Sequence, residues 1–103
     1  MLKYALFARL EAKPGKEEAV ADFLSTGLAL ANLETTTPVW FALRLSPSTF
    51  GIFDAFTNDA NRQAHLSGPI AQALMAHADE LLAQPPKIEA IDVLGFKNVA
   101  DVT

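Results

Sequence analysis

The segment from residue 39 to residue 56 constrains the fold more than any other part of the chain. It holds two β-type runs rich in aromatic residues, 39–45 and 50–56, and the four residues between them, Ser-Pro-Ser-Thr, are of the kind found in turns. Two such runs around a short connection predict an antiparallel hairpin. The rest of the chain is therefore expected to pack on or beside a β-sheet.

Strand and helix patterns lie on both sides of this hairpin. The apolar periodicity predicts, in chain order, a strand over 3–11, a helix over 16–32, two helical pieces over 57–66 and 70–83, and a last strand over 87–97. Gly68-Pro69 divides the two helical pieces. The resulting order, β-α-β-β-α-β with a broken second helix, predicts an α+β, ferredoxin-like domain: a four-stranded antiparallel sheet with the helices on one face.

Composition limits what such a domain can do. A chain of 103 residues, half of them apolar, is expected to form one domain over 1–103, with a core at about 3–97 and a C-terminal tail at 98–103. The net charge of -4 provides no basic surface for nucleic acid or for an anionic membrane. No apolar run reaches the roughly 18 residues of a membrane span, and the start lacks the pattern of a secretion signal. The absence of cysteine excludes disulfides and thiolate sites and favours a cytoplasmic location.

The strands carry large apolar residues on both faces of the predicted sheet. Leu6 stands beside Phe7 in the first strand, and Trp40 stands beside Phe41 in the second. Helices cover only one face of a ferredoxin-like sheet, so the other face would expose apolar side chains. Because most soluble oligomers are two-fold homodimers, we expect a homodimer formed by stacking these open sheet faces.

His65 is the first candidate for chemistry. It lies near the end of the short helix, just before Gly68-Pro69, where a side chain can point into a cleft between helix and sheet. A neutral imidazole there could act as a general base, and the alternative is a histidine that only hydrogen-bonds across the break. His77 is expected at the surface, near the end of its helix.

Trp40 and Arg44 share one side of the second strand because side chains alternate along a strand. Together, an indole and a guanidinium could bind a flat anionic or phenolic molecule. In the alternative, Trp40 belongs to the core or the dimer interface and Arg44 pairs with a carboxylate such as Asp54. Asp54, an acid among apolar residues, is then either that partner or an inward-facing polar group.

Cofactor motifs are missing from the sequence. Its two histidines stand twelve positions apart and it has no cysteine, no calcium-type loop, no glycine-rich nucleotide motif and no Gly-x-Ser-x-Gly elbow. Any catalysis is therefore expected to proceed without a bound metal or organic cofactor, or to rely on a ligand that the sequence does not announce.

Several motifs together resemble the antibiotic biosynthesis monooxygenase family of dimeric α+β barrels. They are Lys13-Pro14-Gly15-Lys16-Glu17, the hairpin end Phe53-Asp54-Ala55-Phe56 and Ala64-His65-Leu66-Ser67, and the likeness spans about residues 3–96. The resemblance implies a ferredoxin-like protomer, a dimer that closes two sheets into a barrel, and a pocket between each sheet and its helices. His65 matches a histidine that is frequent in the family at this helix end. Trp40 and Arg44 match no family residue and are predicted as pocket residues only because they share one side of the second strand.

The resemblance implies a function as well. Well-studied members of the family oxygenate quinols, anthrones and related phenols with molecular oxygen and without metal or flavin. Haem-degrading relatives carry an Asn on the first strand and a Trp on the short helix; here the first strand has no Asn and the short helix has Ala64 and His65, so haem is disfavoured. We therefore expect a cofactor-independent monooxygenase that acts on a small aromatic or quinol-like molecule, with His65 as base. The alternatives are an isomerase of the same fold and a non-catalytic ligand-binding or stress-associated homodimer.

Overall fold

The computed structural model describes residues 1–97, so the tail predicted at 98–103 lies outside the described residues. The elements follow the predicted order: β1 Tyr4–Glu11, α1 Glu17–Leu33, β2 Val39–Arg44, β3 Thr49–Phe56, α2 Asp59–Leu66, α3 Pro69–Leu81 and β4 Lys87–Asp92. The four strands form one antiparallel sheet in the order β2-β3-β1-β4. The ferredoxin-like arrangement predicted from the sequence is confirmed.

Local sequence determines where the helices begin. Gly15 has a φ of 86°, which only glycine adopts readily, and it forms the turn between β1 and α1. The side chain of Asn58 accepts a hydrogen bond from the Asn61 amide at 2.8 Å and so caps α2. Pro69 occupies the first turn of α3, where its missing N–H costs nothing. Two helices therefore replace the single second helix of the simplest ferredoxin-like order.

The core lies between the sheet and the helices. Buried side chains from β1 and β3 meet a stripe on α1 and another on α3, which confirms the amphipathic patterns of both helices. Leu28, which continues the apolar periodicity of α1, is an exception, since it is 48% exposed. The central members of the core are Leu10, Val20, Leu24, Phe50, Ile52 and Leu74.

The last strand is shorter than the sequence indicated. It ends at Asp92 rather than at residue 97 because its neighbour β1 begins at Tyr4, which pairs with Asp92. One further hydrogen bond joins the Val93 amide to the Lys3 carbonyl. Beyond that point β1 offers no further backbone partner, and Leu94 is 99% exposed.

Three phenylalanines form a row across the face of the sheet that carries no helix. Phe53 on β3 lies opposite both Phe7 on β1 and Phe41 on β2. The rings of Phe41 and Phe53 are 6.4 Å apart, and Phe41 is 53% exposed. The Phe7 ring lies over Gly51 so closely that a Cβ there would stand 3.0 Å from it, which accounts for the glycine. We call Phe7, Phe53 and Phe41 the aromatic row.

Candidate functional site

A buried ionic cluster lies between the sheet and α2. His65 Nδ1 is 2.8 Å from Glu34 Oε1, and His65 Nε2 is 2.9 Å from Asp54 Oδ2. The side chains of His65 and Asp54 are only 7% and 3% exposed. Thr37 donates a hydrogen bond to Glu34 Oε1 at 2.9 Å. We call Glu34, Asp54 and His65 the Glu-His-Asp cluster.

Each member of the cluster is placed by its own element. Asp54 is on β3, one of the two inner strands, in step with buried Ile52 and Phe56, so its side chain points toward the helices. His65 is in the last turn of α2, where the helix dipole favours a cation. Glu34 is the C-cap residue of α1, directly after Leu33, and a carboxylate at this end is disfavoured by the dipole unless a cation faces it. His65 supplies that cation.

The cluster favours the protonated form of His65. Burial would lower the pKa of His65, but hydrogen bonds to Asp54 and Glu34 outweigh it and raise the pKa above its ordinary value. Burial raises the pKa of Asp54, and the hydrogen bond to His65 offsets part of that rise. Since a carboxylate oxygen can only accept from the ring nitrogen beside it, both nitrogens of the charged imidazolium donate. His65 therefore has no free lone pair in this arrangement.

Three buried polar atoms at the cluster lack a hydrogen-bond partner among the described residues: Asp54 Oδ1, Glu34 Oε2 and Trp40 Nε1. Trp40 stands directly opposite Asp54 in the β2–β3 ladder, so these two side chains leave the same face of the sheet next to each other. Buried polar groups nearly always have partners in folded proteins. These three unpaired atoms are therefore the positions where a bound molecule or a water would make hydrogen bonds.

Trp40 also lines an apolar cavity of about 200 Å³ between the sheet, α1 and α3. Its other walls include Phe23, Gly27, Leu30, Ile52, Ile70 and His77. A smaller cavity of about 40 Å³ shares Ile52 and Ile70 with it and is lined by Asp54 and His65. The larger cavity thus has the Glu-His-Asp cluster on the far side of two isoleucines. An open cleft of about 560 Å³ between residues 1–4 and 92–96 contains none of these side chains.

The structure separates Arg44 from the other predicted site residues. Arg44 does share a strand face with Trp40, but its guanidinium lies 2.9 Å from Glu18 and 2.9 Å from the Pro47 carbonyl, and above the Phe50 ring. It lines a different opening of about 150 Å³. A substrate-binding role for Arg44 would therefore concern that opening and not the cavity beside Trp40.

Sequence reasoning missed Glu34 and the cavity position of His77. Glu34 stood in a polar stretch that resembled an ordinary loop, and its distance of 31 positions from His65 gives no periodic signal. One clue was available: an acid at the end of a helix whose last turn has no basic residue. His77, expected at the surface, is half exposed, but its ring also packs 5.4 Å from that of Phe23 at the cavity wall.

No group of three or more side chains within residues 1–97 has the arrangement of a metal site. No helix in the same range is long and apolar enough to cross a membrane. The fold and the site together define a class of protein. It has a ferredoxin-like sheet whose helices cover a ring-lined cavity and a buried Glu-His-Asp cluster.

Comparison with known proteins places the chain in a family. It is 61% identical to NE2512, a protein of unknown function from Nitrosomonas europaea, over 94% of both chains with a TM-score of 0.92, and it belongs to the same family as that protein. No family model matches the chain, and no curated protein matches it.

More distant structures share the fold alone. Rv0793 from Mycobacterium tuberculosis is 17% identical with a TM-score of 0.79, over 91% of this chain and 97% of that one. A Nitrosomonas europaea protein provisionally named an antibiotic biosynthesis monooxygenase is 17% identical with a TM-score of 0.78, over 89% and 90% of the two chains. The fold that the sequence resemblance implied is thus also the fold of structures bearing that family's name.

Proposed function

We propose that the chain is a cofactor-independent monooxygenase that oxidises a small aromatic or quinol-like molecule with molecular oxygen. The observation that carries this proposal is a pair of adjoining cavities: an apolar one of about 200 Å³ with Trp40 in its wall, and one of about 40 Å³ lined by Asp54 and His65. Ligand cavities for drug-sized molecules are about 300–1,000 Å³. A cavity below that range fits a substrate of one or two rings.

The proposed reaction needs no electrons from the protein. The substrate reacts through a methylene carbon, which anthrones carry as such and which quinols and naphthols carry in their keto tautomers. This carbon becomes a carbonyl, one atom of O₂ enters the product, and the other leaves as water with the two hydrogens. The protein's part is to remove a proton from the substrate and to stabilise the resulting anion, which then reduces oxygen.

Asp54 is the group best suited to take that proton, because it lines the smaller cavity of about 40 Å³ that adjoins the larger one across Ile52 and Ile70, and the reacting carbon of the substrate enters that smaller cavity. Asp54 Oδ1 has no partner among the described residues, and burial raises the pKa of Asp54 toward the range of an effective general base. His65, which we expected to be the base, acts in this proposal through Asp54: its N–H holds the carboxylate in place at 2.9 Å. Trp40 Nε1 has no acceptor among the described residues and in this proposal donates to the substrate oxygen.

Oxygen uptake tests the proposal directly. The purified protein is assayed with hydroquinones, naphthols and anthrones in the presence of a chelator. We expect uptake that survives chelation and falls at least tenfold in Asp54→Asn and in His65→Gln. Asp22→Asn, which removes an exposed carboxylate from α1, is the matched control and keeps full activity. Absence of uptake across the panel by the folded wild-type protein would contradict the proposal.

One observation favours the non-catalytic alternative. Both nitrogens of His65 are engaged within the protein, as expected for a histidine that only stabilises the fold of a ligand-binding homodimer. In that case ligands bind without turnover. An isomerase of the same fold would convert its substrate without consuming oxygen, so following substrate and oxygen together separates the three functions.

The proposed protein is a homodimer formed through the helix-free sheet face. The aromatic row lies on this face, and Phe41 at its end is more than half exposed. Stacking two such faces would remove the rings from water, and burial of apolar area stabilises by roughly 25 cal/mol per Å².

A further inference from the structure

Gly27 occupies an unusual position for a glycine. It is buried in the middle of α1, where glycine destabilises a helix relative to alanine. A Cβ at this position would lie 3.5 Å from Cη2 and 3.6 Å from Cζ2 of Trp40, which is ordinary van der Waals contact. Alanine would therefore fit without strain, and the packing of α1 on Trp40 does not require glycine. What the missing side chain provides is space, because Gly27 lines the cavity of about 200 Å³.

We propose that Gly27 and Trp40 determine the size of the ligand, and that the cavity accepts a flat, neutral, hydroxylated molecule of two fused rings. The choice of an aromatic ligand rests on the proposed function, but binding itself does not depend on oxygen chemistry. Gly27 is in this proposal a specificity-determining residue: it allows the second ring to lie against the backbone of α1.

The cavity walls favour a ring over an aliphatic chain. The Trp40 indole forms one side, and the Phe23 and His77 rings, whose centroids are 5.4 Å apart and tilted by 58°, form another. Aromatic rings prefer such tilted or offset contacts, which a flat ligand can extend.

The walls also favour an uncharged ligand. None of the residues that line this cavity in the described part of the chain is Lys, Arg, Asp or Glu. A ligand that arrives as an anion would be buried there without a counter-charge, which costs several kcal/mol for an isolated ion. The ligand therefore enters as the neutral molecule and loses its proton only beside Asp54 and His65 in the adjoining cavity. Thr26 and His77 provide polar contacts sufficient for a hydroxyl group.

Calorimetry with phenol and 2-naphthol, under nitrogen to prevent oxidation, tests the proposal. We expect the wild-type protein to bind 2-naphthol and Gly27→Ala to bind it about tenfold more weakly, because the added methyl group occupies the place of the second ring. Phenol affinity should change less than about twofold. Since alanine favours the helix, Tm should rise by roughly 2–8 °C, which excludes misfolding as the cause of the lost affinity. Gly95→Ala, where a Cβ meets nothing within 4 Å, is the matched control.

Trp40 provides a second measurement because it is the only tryptophan in the chain. Bound 2-naphthol should protect its fluorescence from acrylamide in the wild-type protein and in Gly95→Ala, but much less in Gly27→Ala. Failure of the wild-type protein to bind 2-naphthol, or an equal loss for both probes in Gly27→Ala, overturns the inference. Size-selective binding without oxygen uptake would instead reject only the monooxygenase proposal.

Discussion

His65 Nε2 lies 2.9 Å from Asp54 Oδ2, although one residue ends a helix and the other lies in the central strand. With Glu34 on the opposite nitrogen, the imidazolium is enclosed by two carboxylates, and the three side chains together carry one negative charge. Charges so deeply buried are tolerated only when they are paired. The stability of the domain should therefore depend strongly on each partner.

Removing His65 should destabilise the protein severely. His65→Ala leaves two buried carboxylates without their cation, and loss of one partner from a buried ion pair costs about 3–5 kcal/mol. We expect a loss of that size in the free energy of unfolding, measured by urea denaturation at pH 7. His77→Ala, which removes a half-exposed histidine, should cost less than about 1 kcal/mol. Equal, small losses in both variants would show that the cluster contributes little.

Stability should decrease as the pH rises above neutrality. Folding raises the pKa of His65, so its stabilising contribution is complete below the ordinary value of 6.5 and is lost as pH rises through the folded-state value. The pKa of Asp54 is also raised, so the free energy of unfolding again decreases as the pH rises above the ordinary value of 3.8. Unfolding free energies measured between pH 6 and 9 should decline in the wild-type protein and in His77→Gln. The decline should be much shallower in His65→Gln, and an unchanged slope there would contradict the assignment.

Glu11 should stabilise the end of β1 with the opposite pH dependence. It accepts hydrogen bonds from Thr49 Oγ1 at 2.6 Å and Ser48 Oγ at 2.7 Å, and these bonds lower its pKa. A lowered pKa gives stability that is present above the ordinary value of 4.5 and lost as pH falls through the folded-state value. Glu11→Gln should lower the urea midpoint at pH 7 and have little effect near pH 3. The exposed control Glu80→Gln should change the midpoint at neither pH.

A charge in the aromatic row should separate the proposed dimer. Phe41→Asp places a carboxylate where two sheet faces would meet, and its desolvation disfavours association. Sedimentation should give a dimer for the wild-type protein and a folded monomer for Phe41→Asp. Leu33→Asp, at a leucine that is 78% exposed at the end of α1, should remain dimeric. A monomeric wild-type protein would rule out this interface at the concentration tested.

The sequence predicted the fold well because the fold depends on local patterns. The hairpin, both amphipathic stripes and the break at Gly68-Pro69 are each encoded within a few consecutive residues. The end of β4 was misplaced because a strand also needs a neighbour. The apolar residues Leu94 and Phe96 continue the pattern, but they lie beyond Tyr4, the first residue of β1, and so none of the described strands pairs with them.

The site was harder to predict because it joins residues that are distant in the chain. Asp54 and His65 were both recognised as unusual, but Asp54 was considered as a partner of Arg44. The register of the hairpin sets Trp40 opposite Asp54 and Arg44 opposite Phe50, so the guanidinium is four residues too far along the strand. Counting the register from the turn could have shown this. Glu34 could not be found in that way, because the docking of α1 and α2 on the sheet, and not the register, brings it to His65.

That dependence on docking affects the lifetime of the folded protein. Glu34 follows α1, Asp54 is on β3 and His65 is on α2, so their contacts form only when both helices have settled on a completed sheet. Contacts between such distant segments are costly to close and tend to form late in folding. Interactions absent from the transition state change the unfolding rate far more than the refolding rate. We therefore expect the Glu-His-Asp cluster to determine how long the native state persists and to have little influence on how quickly it is reached.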